Sequence, residues 1–313
     1  MPKNDLNFQT REDIRARLRL NDVGILSQVE EYKESLFVVD PMIIGRKLRD
    51  IHKCRGNLRY ILRKLHRALR DIPIPDEFYG GIRGKDVIGN AKRHSGKKYV
   101  MSMDICNFFP SIKPKHVHEV FKRLGCTDEM AALLTHFTTA NDHLPQGFPT
   151  SPILSAHFLI PIAEELMAKL PRDLIFTFWI DDLTISGNVS PAEYIPMIKG
   201  IAKSHDMKIN NSKTHVGKQG VSLRKVTGVV INENGFSPNI GYTREVEQMI
   251  EILNRHGVDV LNDCFSKEYR SDEIARSKLR SKVMWISRFN KNKALELLKR
   301  TEEGTKYRMP VLV

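Results

Sequence analysis

Apolar residues recur along this chain with two different periods, and the change of period divides it into elements. Leu58, Ile61, Leu62, Leu65 and Leu69 repeat at helical spacing, while Arg59, Arg63, Arg67 and Arg70 fall on the other side. That pattern predicts a helix with its back in a core and a basic face toward water or phosphate. Pro73 and Pro75 end it, and Tyr79–Gly84 (YGGIRG) is expected to be a flexible loop. KKYVMSMDI (97–105) has the look of a strand that delivers Asp104 at its end, and after Pro110 and Pro114 a helix is expected over Lys115–Leu124. Ser151–Leu170 is helical in pattern, with Pro161 expected to kink or break it. LIFTFWI (174–180) and LTIS (183–186) flank Asp181 and Asp182, which predicts a β-hairpin with both aspartates at its turn. Val226–Ile231 is expected to be another short strand. From Thr243 the period is helical again, with Val246, Met249, Ile250 and Leu253 on one side, and a second amphipathic, basic stretch runs over 274–300. Strand and helix alternate across 97–231 between helical ends, which predicts a mixed sheet core with helical regions on either side.

Composition changes this picture mainly through charge. The 313 residues carry 50 Lys and Arg against 37 Asp and Glu, a net +13. Such an excess points to a polyanionic partner, because each neutralised phosphate releases counterions. The basic residues are densest over 45–70, where Arg46, Lys47, Arg49, Lys53 and Arg55 lead into the arginines of the helix. No apolar run approaches the ~20 residues of a membrane span, and Met1–Arg11 lacks the apolar stretch of a secretory signal. Cys54, Cys106, Cys126 and Cys264 form no CxxC pair, so neither a zinc site nor a disulfide framework is indicated. A cytoplasmic nucleic-acid protein without a membrane partner is the expectation.

Two clusters could carry chemistry. If the strand ending at Asp104 neighbours the hairpin, two or three carboxylates converge on one point of the sheet. Carboxylates that close repel one another unless a cation compensates. A pair of Mg²⁺ ions about 4 Å apart meets that need and serves phosphoryl transfer. An Asp-Asp pair is also ordinary turn chemistry, although the apolar flanks FTFW and LTIS exceed what a surface turn requires. In the second cluster, QGFPTSP (146–152), glycine and two prolines make a rigid loop, and Thr150 or Ser151 is placed to cap the following helix. A helix start of this kind suits a phosphate or a base pair, and it is equally a well-made turn.

Taken together in order and spacing, DICNFF (Asp104–Phe109), QGFPTSP and the IDD turn (180–182) resemble the third, fourth and fifth motif blocks of reverse transcriptases. GRKLRDIH (45–52) resembles their basic fingertip segment, YGGIRGKD (79–86) the second block, and NNSKT (210–214) the lysine-bearing block beyond the hairpin. Two further motifs narrow the resemblance to bacterial retron reverse transcriptases: Asn90–His94 fits NAxxH, and Val226-Thr227-Gly228 fits VTG. A chain near this length without an appended RNase H or endonuclease segment is also expected of that family. One departure stands out, since Trp179-Ile180 precedes the aspartates where relatives generally carry Tyr-Ala.

The resemblance implies an α/β (α+β) right-hand polymerase. Fingers would span 1–98 with an N-terminal helical region. The palm would span 99–235 with a finger-side insertion at about 113–148, and a helical thumb 236–313. It further implies that Asp104, Asp181 and Asp182 are catalytic and, with the Ile105 carbonyl, hold two Mg²⁺ ions, for which Mn²⁺ could substitute. Lys47 and Arg49 would hold the incoming dNTP and Gln146 would lie against it. Lys213 would protonate the pyrophosphate, and Phe109 would be a steric gate against a ribose 2′-hydroxyl, with Phe108 in the core. Asn90, His94, Val226, Thr227 and Gly228 would dock a cognate structured RNA, while Arg276, Lys278, Arg280, Lys282 and Arg288 would grip the duplex. The implied reaction copies part of that RNA into single-stranded DNA from a guanosine 2′-hydroxyl, giving branched RNA–DNA in antiphage defence beside a separately encoded effector protein. The alternatives are a bacterial defence or abortive-infection reverse transcriptase that uses no retron RNA, and an inactive RNA-binding module.

Overall fold

A computed structural model describes residues 5–44, 47–232, 235–239 and 241–303. The chain folds as two compact units, residues 1–227 and 228–313. The first begins with α1 (Arg11–Leu18) and α2 (Gly24–Tyr32), followed by an antiparallel ribbon of β1 (Phe37–Ile44) and β2 (Lys47–Cys54), paired from Phe37↔Cys54 to Ile44↔Lys47. Helix α3 (Gly56–Arg70) buries Leu58, Ile61, Leu62, Leu65 and Leu69, the stripe expected from the sequence. After α4 (Val87–Arg93) come β3 (Tyr99–Asp104), the single turn α5 (Phe108–Ser111), α6 (Pro114–Arg123), α7 (Asp128–Thr138) and α8 (Ser151–Lys169). The hairpin strands β4 (Ile175–Trp179) and β5 (Asp182–Gly187) follow, then α9 (Ile195–Ser204), β6 (His215–Lys218) and β7 (Lys225–Val226). The main sheet has the order β4-β5-β3-β6 and is antiparallel throughout. One continuous core runs from Leu6 to Ile209, so the helices and strands of the first unit are packed as one body.

Three expectations are corrected here. Pro161 does not break α8, which runs through it. The carbonyl four residues back, that of His157, has lost its helical donor, and the Arg123 guanidinium supplies a replacement at 2.8 Å. The YGGIRG segment is bound down rather than free. The amide of Tyr79 donates to the Phe178 carbonyl at 2.8 Å, and the rings of Phe78 and Phe178 stack at 5.3 Å. Finally, 226–231 is interrupted: β7 ends at Val226, Thr227 and Gly228 turn at φ 46° and 86°, and β8 (Val229–Asn232) begins after them.

The second unit contains the hairpin of β8 and β9 (Gly235–Ser237), with α10 (Tyr242–Phe265), α11 (Asp272–Ser287) and α12 (Lys291–Glu303). Val246, Met249, Ile250 and Leu253 pack with Leu279, Val283, Ile286 and Leu297 into a separate core. Helix α10 is interrupted at Gly257, whose φ of 82° and ψ of −176° are not helical. Arg276, expected to face a duplex, instead points inward. Its Nη1 donates to Asn254 Oδ1 at 2.8 Å and to the Thr301 carbonyl at 2.7 Å, tying the three helices together. Lys278, Arg280 and Arg288 remain exposed, and Lys282 lies over the Tyr242 ring.

Candidate active site

Sheet register brings the aspartates together. Asp104, the last residue of β3, is directly opposite Asp182, the first of β5, and side chains of opposed residues share a face. Trp179 pairs with Asp182, leaving Ile180 and Asp181 as a two-residue turn. The Ile105 amide donates to the Asp181 carbonyl at 3.1 Å and closes this turn onto β3. Ile180 adopts φ 57°, a region that costs a β-branched residue free energy. The turn is held from behind by the YGGIRG segment, since a Cβ on Gly80 would lie 2.4 Å from the Ile180 nitrogen, and one on Gly81 2.9 Å from Pro152 Cβ. Glycine is therefore required at these positions by contact with the turn and the start of α8.

In front of the turn lies a cavity of about 310 Å³. Asp104, Ile105 and Asp181 line it from the palm, Lys47 and Arg49 from β2, and Phe109, Gln146 and Lys213 from the remaining walls. All five residues expected at the nucleotide thus border one space, beside two of the three aspartates. Gly45 and Arg46 of the fingertip block lie outside the described residues. Phe108 is buried and Phe109 half-buried, and both border the cavity. Arg49 Nε is buried without a hydrogen-bond partner, a donor available for an anion. Gly147, at φ 109°, brings the QGFPTSP loop against β2. A Cβ there would meet the His52 carbonyl at 2.5 Å, and the His52 amide donates to the Gln146 carbonyl at 2.7 Å. Thr150 makes no side-chain cap, and Ser151 Oγ donates to the Pro145 carbonyl at 2.6 Å, so the loop is braced by a different bond from the expected one.

The cavity also has walls that sequence reasoning missed, among them His52, Asn107, Asn141 and His143. Asn141 and Asp142 both have positive φ, 49° and 58°, in a turn closed by Ala140 and His143. Asn-Asp between two apolar runs was the available signal for such a turn. Asn141 Nδ2 sits 3.2 Å from His52 Nε2, so this turn is bonded to the finger ribbon.

Electrostatics set the aspartates apart from an ordinary surface turn. Burial, followed by the charges of Asp181 and Asp104, pushes the Asp182 carboxyl up to about 6. Burial, with Asp104 adding repulsion, raises Asp181 as well. Lys213 donates from Nζ to Asp104 Oδ1 at 2.6 Å, and this bond raises the lysine. The Asp104 charge thus disfavours ionisation of both hairpin aspartates, and the Asp181 charge that of Asp182. Among the described residues, however, no three His, Cys, Asp or Glu groups form a closed metal cage. A partly buried carboxylate cluster that already draws an ammonium group suits a hard divalent cation with retained water ligands.

The residues expected to dock RNA divide into two sets. Asn90 and His94 have no exposed surface, and Val226 is also buried. Thr227 is half-buried and Gly228 exposed. Asn90 and His94 face the palm strands instead of solvent, with His94 between Ser186 Oγ and Thr177 Oγ1 at 2.7 Å each.

Comparison with known proteins agrees with this geometry. Residues 46–231 match the family model described as reverse transcriptase (RNA-dependent DNA polymerase). The chain is 27% identical over 263 residues to the Retron Se72 reverse transcriptase of Salmonella heidelberg (strain 579083-10), covering 81% of this chain and 68% of that one. It is 26% identical to the Retron Ec86 reverse transcriptase of Escherichia coli, covering 77% and 75%, and 25% identical to the Retron Mx65 reverse transcriptase of Myxococcus xanthus, covering 94% and 71%. A solved telomerase of Candida albicans aligns over 87% of this chain and 58% of its own, at 12% identity and a TM-score of 0.48. The chain belongs to the reverse transcriptase (RNA-dependent DNA polymerase) family, with retron reverse transcriptases as its relatives.

Proposed function

We propose that this RNA-directed DNA polymerase is a retron enzyme. It would copy part of a cognate structured RNA into single-stranded DNA from a guanosine 2′-hydroxyl, leaving DNA branched from RNA. The observation that supports its chemistry is the single cavity bordered by Asp104, Asp181, Lys47, Arg49, Phe109, Gln146 and Lys213. Asp104, Asp181 and Asp182, with the Ile105 carbonyl, would hold Mg²⁺, which would supply positive charge and Lewis acidity for phosphoryl transfer. Lys47 and Arg49 hold the triphosphate as a point charge and a planar fork. Gln146 lies against the nucleotide, and Phe109 leaves no room for a ribose 2′-hydroxyl. The priming hydroxyl loses its proton to water as its oxygen bonds to the α-phosphorus, the bond to the bridging oxygen breaks, and Lys213 gives a proton to the departing pyrophosphate. In this reading 1–98 are fingers, 99–235 palm and 236–313 thumb, with exposed Lys278, Arg280 and Arg288 on the duplex.

The docking of RNA is assigned to the Thr227–Gly228 turn, and an antiphage role with a separately encoded effector follows the family resemblance. No helix among the described residues is long and apolar enough to cross a membrane, and a cytoplasmic location is part of this reading. The test has two arms. The purified chain should incorporate dNTPs on poly(rA)/oligo(dT) with Mg²⁺, and nucleic acid extracted from it should contain a branched RNA–DNA junction, sensitive to both RNase and DNase. Incorporation without a branch would favour the defence reverse transcriptase that uses no retron RNA, and no incorporation would favour the inactive module.

A further inference from the structure

We propose that Asn141 and His52 are positioning residues for the incoming nucleotide: the bond between their side chains sets where Lys47 and Arg49 stand relative to Gln146 and Phe109. The β1–β2 ribbon leaves the core at its base, where Phe37 and His52 are buried. Farther out, Val38, Val39, Met42, Ile43 and Leu48 are exposed, so packing does not hold the outer ribbon. Two hydrogen bonds hold it at His52, whose amide donates to the Gln146 carbonyl at 2.7 Å and whose Nε2 meets Asn141 Nδ2 at 3.2 Å. Among the described residues, none between Val38 and Ile51 hydrogen-bonds outside the ribbon. Lys47 and Arg49 are therefore carried on a projecting arm whose last fastening is His52.

The atoms fix the direction of that fastening. An amide nitrogen can only donate, so His52 Nε2 accepts and Nδ1 carries the ring proton. Burial, followed by the charge of His143, lowers the His52 pKa, which keeps Nε2 free to accept. The rings of Phe148 and His143 meet the imidazole edge-on, at 6.2 and 5.6 Å. The other partner is rooted beside Phe109. Ala140 and His143 exchange backbone bonds of 2.9 and 3.0 Å, and His143 Nδ1 donates to the Asn141 carbonyl at 2.8 Å. The Leu144 amide donates to the Ile112 carbonyl at 2.8 Å, and the Ile112 amide to the Phe109 carbonyl at 3.2 Å. Asn141 holds φ 49°, a conformation that asparagine bears more readily than most residues. The turn thus presents its amide to the ribbon from the wall that carries Phe109.

The inference rests on the functional reading in taking the cavity as the nucleotide site. On the full chain, dTTP incorporation on poly(rA)/oligo(dT) gives kcat and the KM for each substrate. Calorimetry with dTTP and the same primer–template, with Ca²⁺ in place of Mg²⁺, gives a Kd without turnover. Asn141→Gly suits the positive φ and removes the amide. It should raise KM and Kd for dTTP about five-fold, the scale of one neutral hydrogen bond, with kcat, the KM for primer–template and the melting temperature held. His52→Phe keeps a ring among its aromatic neighbours and removes the acceptor. It should do the same, and the double variant should be no worse than either single one. Unchanged KM and Kd for dTTP in Asn141→Gly would overturn the proposal. So would a double variant in which the two effects multiply, or a rise in both KM values that tracks the melting temperature. If the wild-type chain binds dTTP but makes no DNA, the functional reading fails while the Kd values still decide this one. If it binds no dTTP, both fall.

Discussion

At its turn, the β4–β5 hairpin carries Asp181 and Asp182, partly buried with raised carboxyl pKa values beside Asp104. Further along the same strands, Thr177 and Ser186 are buried too, yet each meets a neutral partner at 2.7 Å or less. Both regions place polar groups in a protein interior, where an unpaired group costs about 1–3 kcal/mol and an unpaired charge more. The far end meets that cost within the chain, with hydroxyl, imidazole and amide groups exchanging single protons. The turn end does not, since three carboxylates share one lysine contact, Lys213 on Asp104. A satisfied network builds a fixed platform, whereas an unsatisfied one builds affinity for whatever completes it. On this hairpin the first supports the second.

The most severe way to break the comparison is to neutralise the turn. Asp181→Asn or Asp182→Asn should abolish DNA synthesis, by about 10³-fold or more, since removing charge from a metal-held phosphoryl transfer forfeits several kcal/mol. RNA binding should survive, because the basic surfaces are untouched. Primer extension and binding of a fluorescein-labelled RNA hairpin measured side by side check this, and continued extension by both variants in Mg²⁺ would remove the β4–β5 hairpin from the active site. Next in size is Gly80→Ala. The added methyl would lie 2.4 Å from the Ile180 nitrogen and 2.6 Å from its Cγ1. The turn must then shift, and a displacement near 1 Å can cost about 10²-fold in kcat. Gly84→Ala, at φ 77° but with nothing within 4 Å, bears the backbone strain without the contact and should lose far less activity.

What the sequence made legible follows the same division. Apolar period places α3, the β3 strand and the hairpin, because burial of Leu, Ile, Val and Phe is decided by which face they occupy. The aspartates were legible because an Asp-Asp pair between FTFW and LTIS is out of place at a mere surface turn. Polar partners were not, because they are chosen in three dimensions. Arg123 reaches the His157 carbonyl across helices and lets α8 pass Pro161, and Arg276 turns into its own helical unit. NAxxH spacing showed that Asn90 and His94 share a face, but not that the face is turned to the sheet. His52, Asn141 and His143 belong to the cavity through a left-handed turn whose direction no local pattern sets.

Phe109 offers a smaller perturbation at the mouth of the turn end. Phe109→Val should improve rNTP use relative to dNTP use by at least about tenfold, the scale of a few methylenes in a fitted pocket. Competition between dNTP and rNTP at a single template position measures this. Phe108, which borders the same cavity but is 3% exposed, is the comparison: Phe108→Val should lower the melting temperature more and change sugar selectivity less. If the two variants change selectivity equally, the gate is elsewhere.

The smallest effect, and the one that separates the two ends most directly, is the sign of their pH dependence in chelator. Asp182 binds its proton more tightly in the fold, at about 6 against 3.8. Its contribution to stability is complete below 3.8 and is lost as pH rises through 6. His94 is the reverse, at about 3 against 6.5, so its contribution is complete above 6.5 and is lost as pH falls toward 3. His157, buried and lowered to about 4, acts in the same sense as His94. Within its window each group changes stability by at most about 1.4 kcal/mol per pH unit. Between pH 4 and 6 the two ends oppose one another, so the wild-type melting temperature should rise only gently. Asp182→Asn removes the falling contribution. It should steepen the rise and lift the melting temperature at pH 7 by about 2 °C or more. His94→Gln removes one rising contribution and should flatten the curve over the same range. Melting curves at half-unit pH steps read all three slopes. Identical slopes would mean that burial at the two ends of the hairpin does not differ in the way their geometry requires.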